Sequence, residues 1–117
     1  MSVAALLVAV TQEVSARAYI TRSEILDQSQ TFFKARPYIA PDLFVQIYRN
    51  DRFDTTNFVL IYGGRRLYAR DQLGGMRHRH TAAAPQAHDT SPEGRRSIEL
   101  TEFLDEVESV LAAMNLP

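Results

Sequence analysis

The chain has 117 residues, which is enough for one hydrophobic core and too few for two independent ones. An apolar fraction of 45% and a charged fraction of 23% are those of a globular protein and exclude wholesale disorder. There is no cysteine, so disulfides, thiolate nucleophiles and cysteine-based zinc sites are excluded. We expect a single domain over residues 1–117 and a location in the reducing cytoplasm.

The net charge of −1 conceals an uneven distribution along the chain. Residues 65–96 carry seven arginines and all three histidines against three acids, whereas residues 97–117 carry five acids and no base. A local basic patch can bind an anion even on a nearly neutral protein, because phosphate contacts act over short distances at physiological salt. The charge pattern therefore indicates residues 65–96 as the place where binding or chemistry occurs.

The N-terminal residues predict a short helix that docks on the domain. Residues 3–14 are rich in alanine, leucine and valine, with apolar positions at helical spacing. The first basic residue is Arg17, so the charged start of a secretory signal is missing. The apolar run is also far shorter than the roughly 20 residues that span a bilayer. We expect no membrane interaction.

After this helix, β-branched and aromatic residues predict strands, at Tyr19–Ile25, Phe32–Ile39, Leu43–Arg49, Asn57–Tyr62 and Arg65–Asp71. Pro37 cannot donate a backbone hydrogen bond, so its strand is expected to lie at a sheet edge or to contain a bulge. The almost wholly apolar run Asn57–Tyr62 predicts a central strand covered on both faces. Gly63 and Gly64 satisfy the positive φ angles of a type I′ turn, so the following strand is expected to return antiparallel.

Regular periodicity is lost over residues 72–97, where glycine, alanine and proline breakers recur. We expect a long basic loop there, which is uncommon in a compact domain unless it binds something or is disordered. Order returns in a C-terminal helix with apolar residues at helical spacing from Leu100 to Met114. The prediction is an α+β domain: a four- to five-strand antiparallel sheet, with a short N-terminal helix and a C-terminal helix packed on one face.

The candidate site is the basic, histidine-bearing segment between Tyr68 and Glu93. As a metal-free nuclease site, His78 or His80 would act as general acid or base, since imidazole titrates near neutral pH. Arg77 would stabilise charge that develops on a phosphate, and Asp71 would orient a histidine. The remaining basic and aromatic side chains would bind substrate: Arg70, Arg79 and Tyr68.

Other interpretations of the segment remain open. In an extended chain His78 and His80 share a face and could bind zinc or another divalent metal, with the set completed by His88, Asp71 or Asp89. Arg77 and Arg79 interleave the pair and place positive charge near such a cation. The segment could also be an interaction surface, without catalysis, for a protein or a nucleic acid. In the plainest interpretation it is a solvated loop whose histidines cap turns.

The second half of the chain, roughly residues 57–112, resembles the small TumE-like toxin proteins. The motifs that carry the resemblance are Leu60-Ile61, Arg66-Leu-Tyr68, Asp71, Gly75-Met-Arg-His78-Arg-His80, His88-Asp89, Ser91-Pro-Glu93 and Phe103-Leu104. The resemblance implies an antiparallel sheet followed by an Asp/His-rich loop and a C-terminal helix. It also implies a toxin component of a toxin–antitoxin system, with RNA as target and a cognate antitoxin as partner. Monomer and homodimer both stay open.

Overall fold

The computed structural model describes residues 1–74 and 76–117. Gly75, which falls within the predicted loop, lies outside the described residues. The described residues form two helices and seven strands: α1 (Val3–Ala16), β1 (Arg22–Gln28), β2 (Phe32–Ala40), β3 (Leu43–Asn50), β4 (Thr55–Tyr62), β5 (Arg65–Leu73), β6 (Met76–Thr81), β7 (Ala84–Asp89) and α2 (Leu100–Ala113). Neither helix has the length and apolar character needed to cross a membrane.

The strands form one sheet in which each strand pairs antiparallel with the next along the chain, from β1 to β7. Tight turns make this order possible. Gly63 and Gly64 connect β4 to β5 with φ angles of 57° and 78°, as the predicted type I′ turn requires. The predicted antiparallel pairing of the strands is therefore confirmed.

Both helices cover the same face of this sheet. α1 contacts β2 and β3, α2 contacts β4 and β5, and the helices contact each other. One buried apolar cluster lies between the layers: Val3, Leu6, Val10, Phe33, Ala35, Ile39, Leu43, Val45, Ile47, Phe58, Leu60, Tyr68, Leu100, Phe103, Leu104, Val107 and Leu111. We call this side of the sheet the helix face and the other side the open face. The α+β class and the helix packing match the prediction.

One detail of the predicted strands is confirmed and one is wrong. Of the two alternatives for the strand with Pro37, a bulge is found: the pairing of β2 with β3 shifts between Tyr38 and Ala40, and β2 lies inside the sheet between β1 and β3. β4 is not covered equally on both faces. Its buried positions alternate as Thr56, Phe58 and Leu60 on the helix face, while the intervening residues are only half-buried.

The largest correction concerns the number of strands. The predicted loop over residues 72–97 contains the end of β5 and the whole of β6 and β7, which raises the sheet from four or five strands to seven. These strands lack an apolar side because they extend the sheet beyond the helices: no helix packs closely against either of them. Without a buried face there is no apolar alternation for sequence reasoning to detect.

A buried arginine ties this part of the sheet to α2. Arg70 of β5 is only 3% exposed and donates from Nε and Nη2 to the carboxylate of Glu106 at 3.0 and 2.6 Å. It also donates to the backbone carbonyl and the carboxylate of Glu93. Burial alone would lower the pKa of Arg70, but these acceptors raise it above its usual range. The guanidinium is therefore firmly charged and fully engaged.

We predict that Glu106→Gln lowers the free energy of unfolding by about 2 kcal/mol, because it leaves a buried guanidinium short of countercharge. Glu108→Gln on the same helix is the matched control. Glu108 pairs with Arg17 and is 49% exposed, so its loss should cost less than about 1 kcal/mol. Urea denaturation measures both values. Equal losses would contradict a special role for Arg70.

Candidate functional site

The register between β5 and β6 determines which side chains meet. Asp71 pairs directly with His78, and Ala69 pairs with His80. Successive side chains of a strand point to opposite faces, and Arg70 points to the helix face, where it binds Glu106. Asp71, His78 and His80 therefore lie together on the open face.

His88 of β7 completes the group. The ring centroids lie 5.1 Å apart for His78 and His80, 4.4 Å for His78 and His88, and 4.8 Å for His80 and His88. One ring nitrogen from each histidine lies within 4.8 Å of the other two. We call these three residues the histidine cluster. Their burial is graded, since His80 is buried, His78 is intermediate and His88 is exposed.

Asp71 lies at the base of the histidine cluster. Its Oδ2 is 3.3 Å from Nε2 of His78 and 3.5 Å from Nε2 of His80. In tetrahedral zinc sites with bonds of about 2.0–2.1 Å, two ligand atoms are about 3.4 Å apart. Each of these two spacings is therefore already that of a pair of ligand atoms around one zinc ion.

Two polar atoms of this group are buried without a hydrogen-bond partner among the described residues: Nδ1 of His80 and Oδ1 of Asp71. A buried polar atom without a partner costs about 1–3 kcal/mol. Within a folded protein such atoms call for an explanation, and a bound ion is one possible explanation. These are not the Nε2 and Oδ2 atoms that face one another, so the zinc-like spacings stand on their own.

Arg66 brings a positive charge to the same side of the sheet. The pairing of β4 and β5 shifts between Leu60 and Ile61, so Arg66 lies opposite Ile61 on the open face. Its Nε donates to the carbonyl of Pro85 at 3.2 Å, which links β5 directly to β7. Burial lowers the pKa of His80, and the charge of Arg66 lowers it further.

The position of His88 depends on an ion pair on the opposite face. Arg79 of β6 donates twice to Oδ2 of Asp89, at 2.8 and 2.5 Å. Hydrogen bonds from Ser91 and from Arg79 lower the pKa of Asp89 to about 2. Gly94 packs so tightly here that an added Cβ would lie 2.1 Å from the Asp89 carbonyl oxygen. These contacts fix the end of β7 and so direct the preceding His88 to the open face.

The structure brings together part of the predicted site and separates the rest. Asp71, His78, His80 and His88 do converge. Arg77 and Arg79 alternate with the histidines and lie on the helix face, so the strand separates them from the histidine cluster.

Two predicted substrate-binding residues are also placed away from the histidine cluster. Arg70 is enclosed by carboxylates on the helix face, and Tyr68 is buried there with its ring 5.8 Å from that of Phe103. Sequence reasoning missed Arg66 as a neighbour of the histidine cluster. No signal in the sequence marks the irregularity of β4–β5 pairing that turns its side chain to the open face.

Comparison of the chain with protein-family models, curated proteins and solved structures found no match. The resemblance to the TumE-like toxins therefore stays a prediction. The chemistry of the site has to be argued from its geometry.

We predict that His80 titrates below about pH 6.5 in metal-free protein, because burial and Arg66 disfavour its charged form. A lowered folded-state pKa means that the unfolded chain binds more protons. The associated stability is therefore present above about pH 6.5 and declines as the pH falls towards the folded-state value. Histidine NMR titration in EDTA measures this midpoint directly, and a value at or above 6.5 would refute the assignment.

Proposed function

We propose that this protein binds one divalent transition-metal ion, zinc being the best match, through the histidine cluster and Asp71. The observation that carries the proposal is the convergence of three imidazoles from two strands, two of which contact the Asp71 carboxylate. Imidazole nitrogen and carboxylate oxygen are both good zinc ligands. The absence of cysteine leaves histidine and acidic residues to supply such a site.

The geometry requires little adjustment to accept the ion. The three ring nitrogens lie within 4.8 Å of one another, against about 3.4 Å between ligands of a tetrahedral zinc ion. Side-chain rotations that move each nitrogen by about an ångström close this difference. His88 is exposed and stacks on the ring of His78, whereas His80 is buried and Asp71 is partly buried. His80 and Asp71 would thus form the enclosed half of the site and His88 the solvent-facing half.

The ion would act on the part of the sheet that is least supported. β7 pairs with β6 at only two positions with a shift between them, and most of its residues are exposed. A metal that joins His88 to His78 and His80 would bind β7 to its neighbour. Four protein ligands around zinc are typical of structural sites, which contribute directly to folding. The proposed role is therefore a metal clamp on the β5–β7 end of the domain.

We predict one zinc ion per chain after metal stripping and reconstitution, measured by elemental analysis. Zinc at 100 times its dissociation constant should raise the free energy of unfolding by about 2.7 kcal/mol. His88→Gln is the informative variant because it removes an exposed ligand with little cost to the core, and it should lose most of this stabilisation. Asp27→Asn, on the distant strand β1, is the control and should retain it.

Retention of full zinc stabilisation by His88→Gln would contradict the site. So would a wild-type protein that gains none.

A second candidate function is a metal-independent ribonuclease, as part of a cytoplasmic toxin that a cognate antitoxin would neutralise. It is favoured by the contact of the Asp71 carboxylate with Nε2 of both His78 and His80, which would orient an acid–base pair. Arg77 and Arg79 lie on the other face, so the phosphate-binding role would pass to Arg66. The first proposal uses the whole histidine cluster, whereas this one uses only part of it.

The two functions differ in their response to metal removal. A ribonuclease of this kind should cleave RNA in EDTA and lose that activity in His78→Ala, while the variant keeps its circular dichroism spectrum. Gel analysis of a defined single-stranded RNA makes the measurement. Intact RNA after prolonged incubation with wild-type protein, both in EDTA and with zinc, would exclude this second function.

A further inference from the structure

The helix face holds a second feature, a cavity of about 270 Å³ that lies at the end of the sheet next to the apolar core. Its floor is a row of four polar side chains in register across four strands. Arg49 of β3 pairs with Thr56 of β4, Thr56 with Gln72 of β5, and Gln72 with Arg77 of β6. The segment before α2 forms a wall with Arg96, Ser97 and Ile98.

The arginines of this cavity differ in what they already bind. Arg70 and Arg96 line the cavity wall, and their guanidinium groups already donate hydrogen bonds to the carboxylates of Glu93, Glu102 and Glu106. Arg49 is 5% exposed and donates from Nε and Nη1 to Asp51, Asp54 and Thr56. Its Nη2 has no hydrogen-bond partner among the described residues.

Arg77 is the arginine of this cavity whose charge is not paired with an acid among the described residues. Within residues 1–74 and 76–117, its guanidinium forms neither a hydrogen bond nor an ion pair, although it lines the cavity and is only partly exposed. A guanidinium has five donors in a planar fork that matches an oxyanion with two or more oxygens. Arg77 and Nη2 of the buried Arg49 therefore offer donors from the two ends of one row.

We propose that this cavity binds the phosphate group of a small molecule. Arg77 would engage the phosphate as a fork, Arg49 would donate from Nη2, and the Gln72 amide and the Thr56 hydroxyl lie between them on the floor. One acid at the rim, Asp54, is held by Arg49 at 3.0 Å and by Gln72 at 3.4 Å. It keeps the floor in place and faces solvent, since its side chain is 58% exposed.

Asp71 and His78 also line the cavity, so this site adjoins the histidine cluster. By strand alternation their side chains point to the open face, while those of Gln72 and Arg77 point to the helix face. The two sites therefore use different side chains of β5 and β6. Phosphate binding can therefore be tested with the metal removed, and the result does not depend on the proposed function.

The test is a titration of the full chain with inorganic phosphate and with pyrophosphate, in EDTA at fixed ionic strength, followed by calorimetry and phosphorus NMR. We expect saturable binding at one site. Arg77→Gln should weaken it about tenfold or more, since it removes charge-assisted hydrogen bonds. The matched control, Arg65→Gln, removes an exposed arginine from the β4–β5 hairpin and should change the dissociation constant less than about twofold.

Equal weakening in both variants would overturn the proposal, because it would show a general electrostatic effect and no built site. So would the absence of saturable binding in wild-type protein. Malonate, a dicarboxylate of similar charge, tests the choice of phosphate. If it binds as tightly as phosphate, the assignment of ligand class is wrong. Circular dichroism and thermal unfolding of Arg77→Gln establish that the variant is folded during the titration.

Discussion

The register between β5 and β6 is the constraint on which both sites depend. Asp71 lies opposite His78, and Gln72 lies opposite Arg77, so one pair of strands presents acid and imidazole on one face and amide and guanidinium on the other. A slip of one residue would exchange these faces, because side chains alternate with a period of two. The histidines would then face the Glu93 and Glu106 carboxylates, and the arginines would face Asp71.

Several contacts hold that register where the apolar core no longer reaches. Arg70 ties β5 to α2 through Glu106, and Arg79 ties β6 to the end of β7 through Asp89. On the open face, Arg66 bonds the carbonyl of Pro85. Polar contacts of this kind are directional, and they satisfy buried donors that would otherwise destabilise the fold. The end of the sheet is thus built from ion pairs, whereas its middle is built from leucine, valine and phenylalanine.

The sequence allowed the apolar part of the fold to be predicted. The alternation of Leu43, Val45 and Ile47, the turn at Gly63 and the spacing of the C-terminal helix all have direct physical signatures, and the structure confirms each. β6 and β7 could not be predicted, because β6 is polar on both faces after Met76 and the small apolar residues of β7 are spread over both of its faces, so the alternation that identifies a strand is absent. Their strand character comes from pairing with β5, which is a tertiary effect.

The residues of the candidate site could be predicted from the sequence, but their arrangement in space could not. The spacing of His78 and His80 correctly places both rings on one face of an extended segment. The same alternation sends Arg77 and Arg79 to the other face, a consequence that assigning the whole segment to a loop concealed. The separation also explains how a cation site and an anion site can share one pair of strands, since they use different side chains of those strands.

The most direct test of the account is the pairing of β5 and β6 itself, measured in isotope-labelled protein by cross-strand backbone nuclear Overhauser effects. The account predicts contacts that pair Asp71 with His78 and Gln72 with Arg77, together with slowed amide exchange at the hydrogen-bonded positions. Contacts that pair Asp71 with Arg77 or Arg79, or fast exchange throughout residues 76–81, would contradict it. Either result would remove the physical basis of both proposed sites.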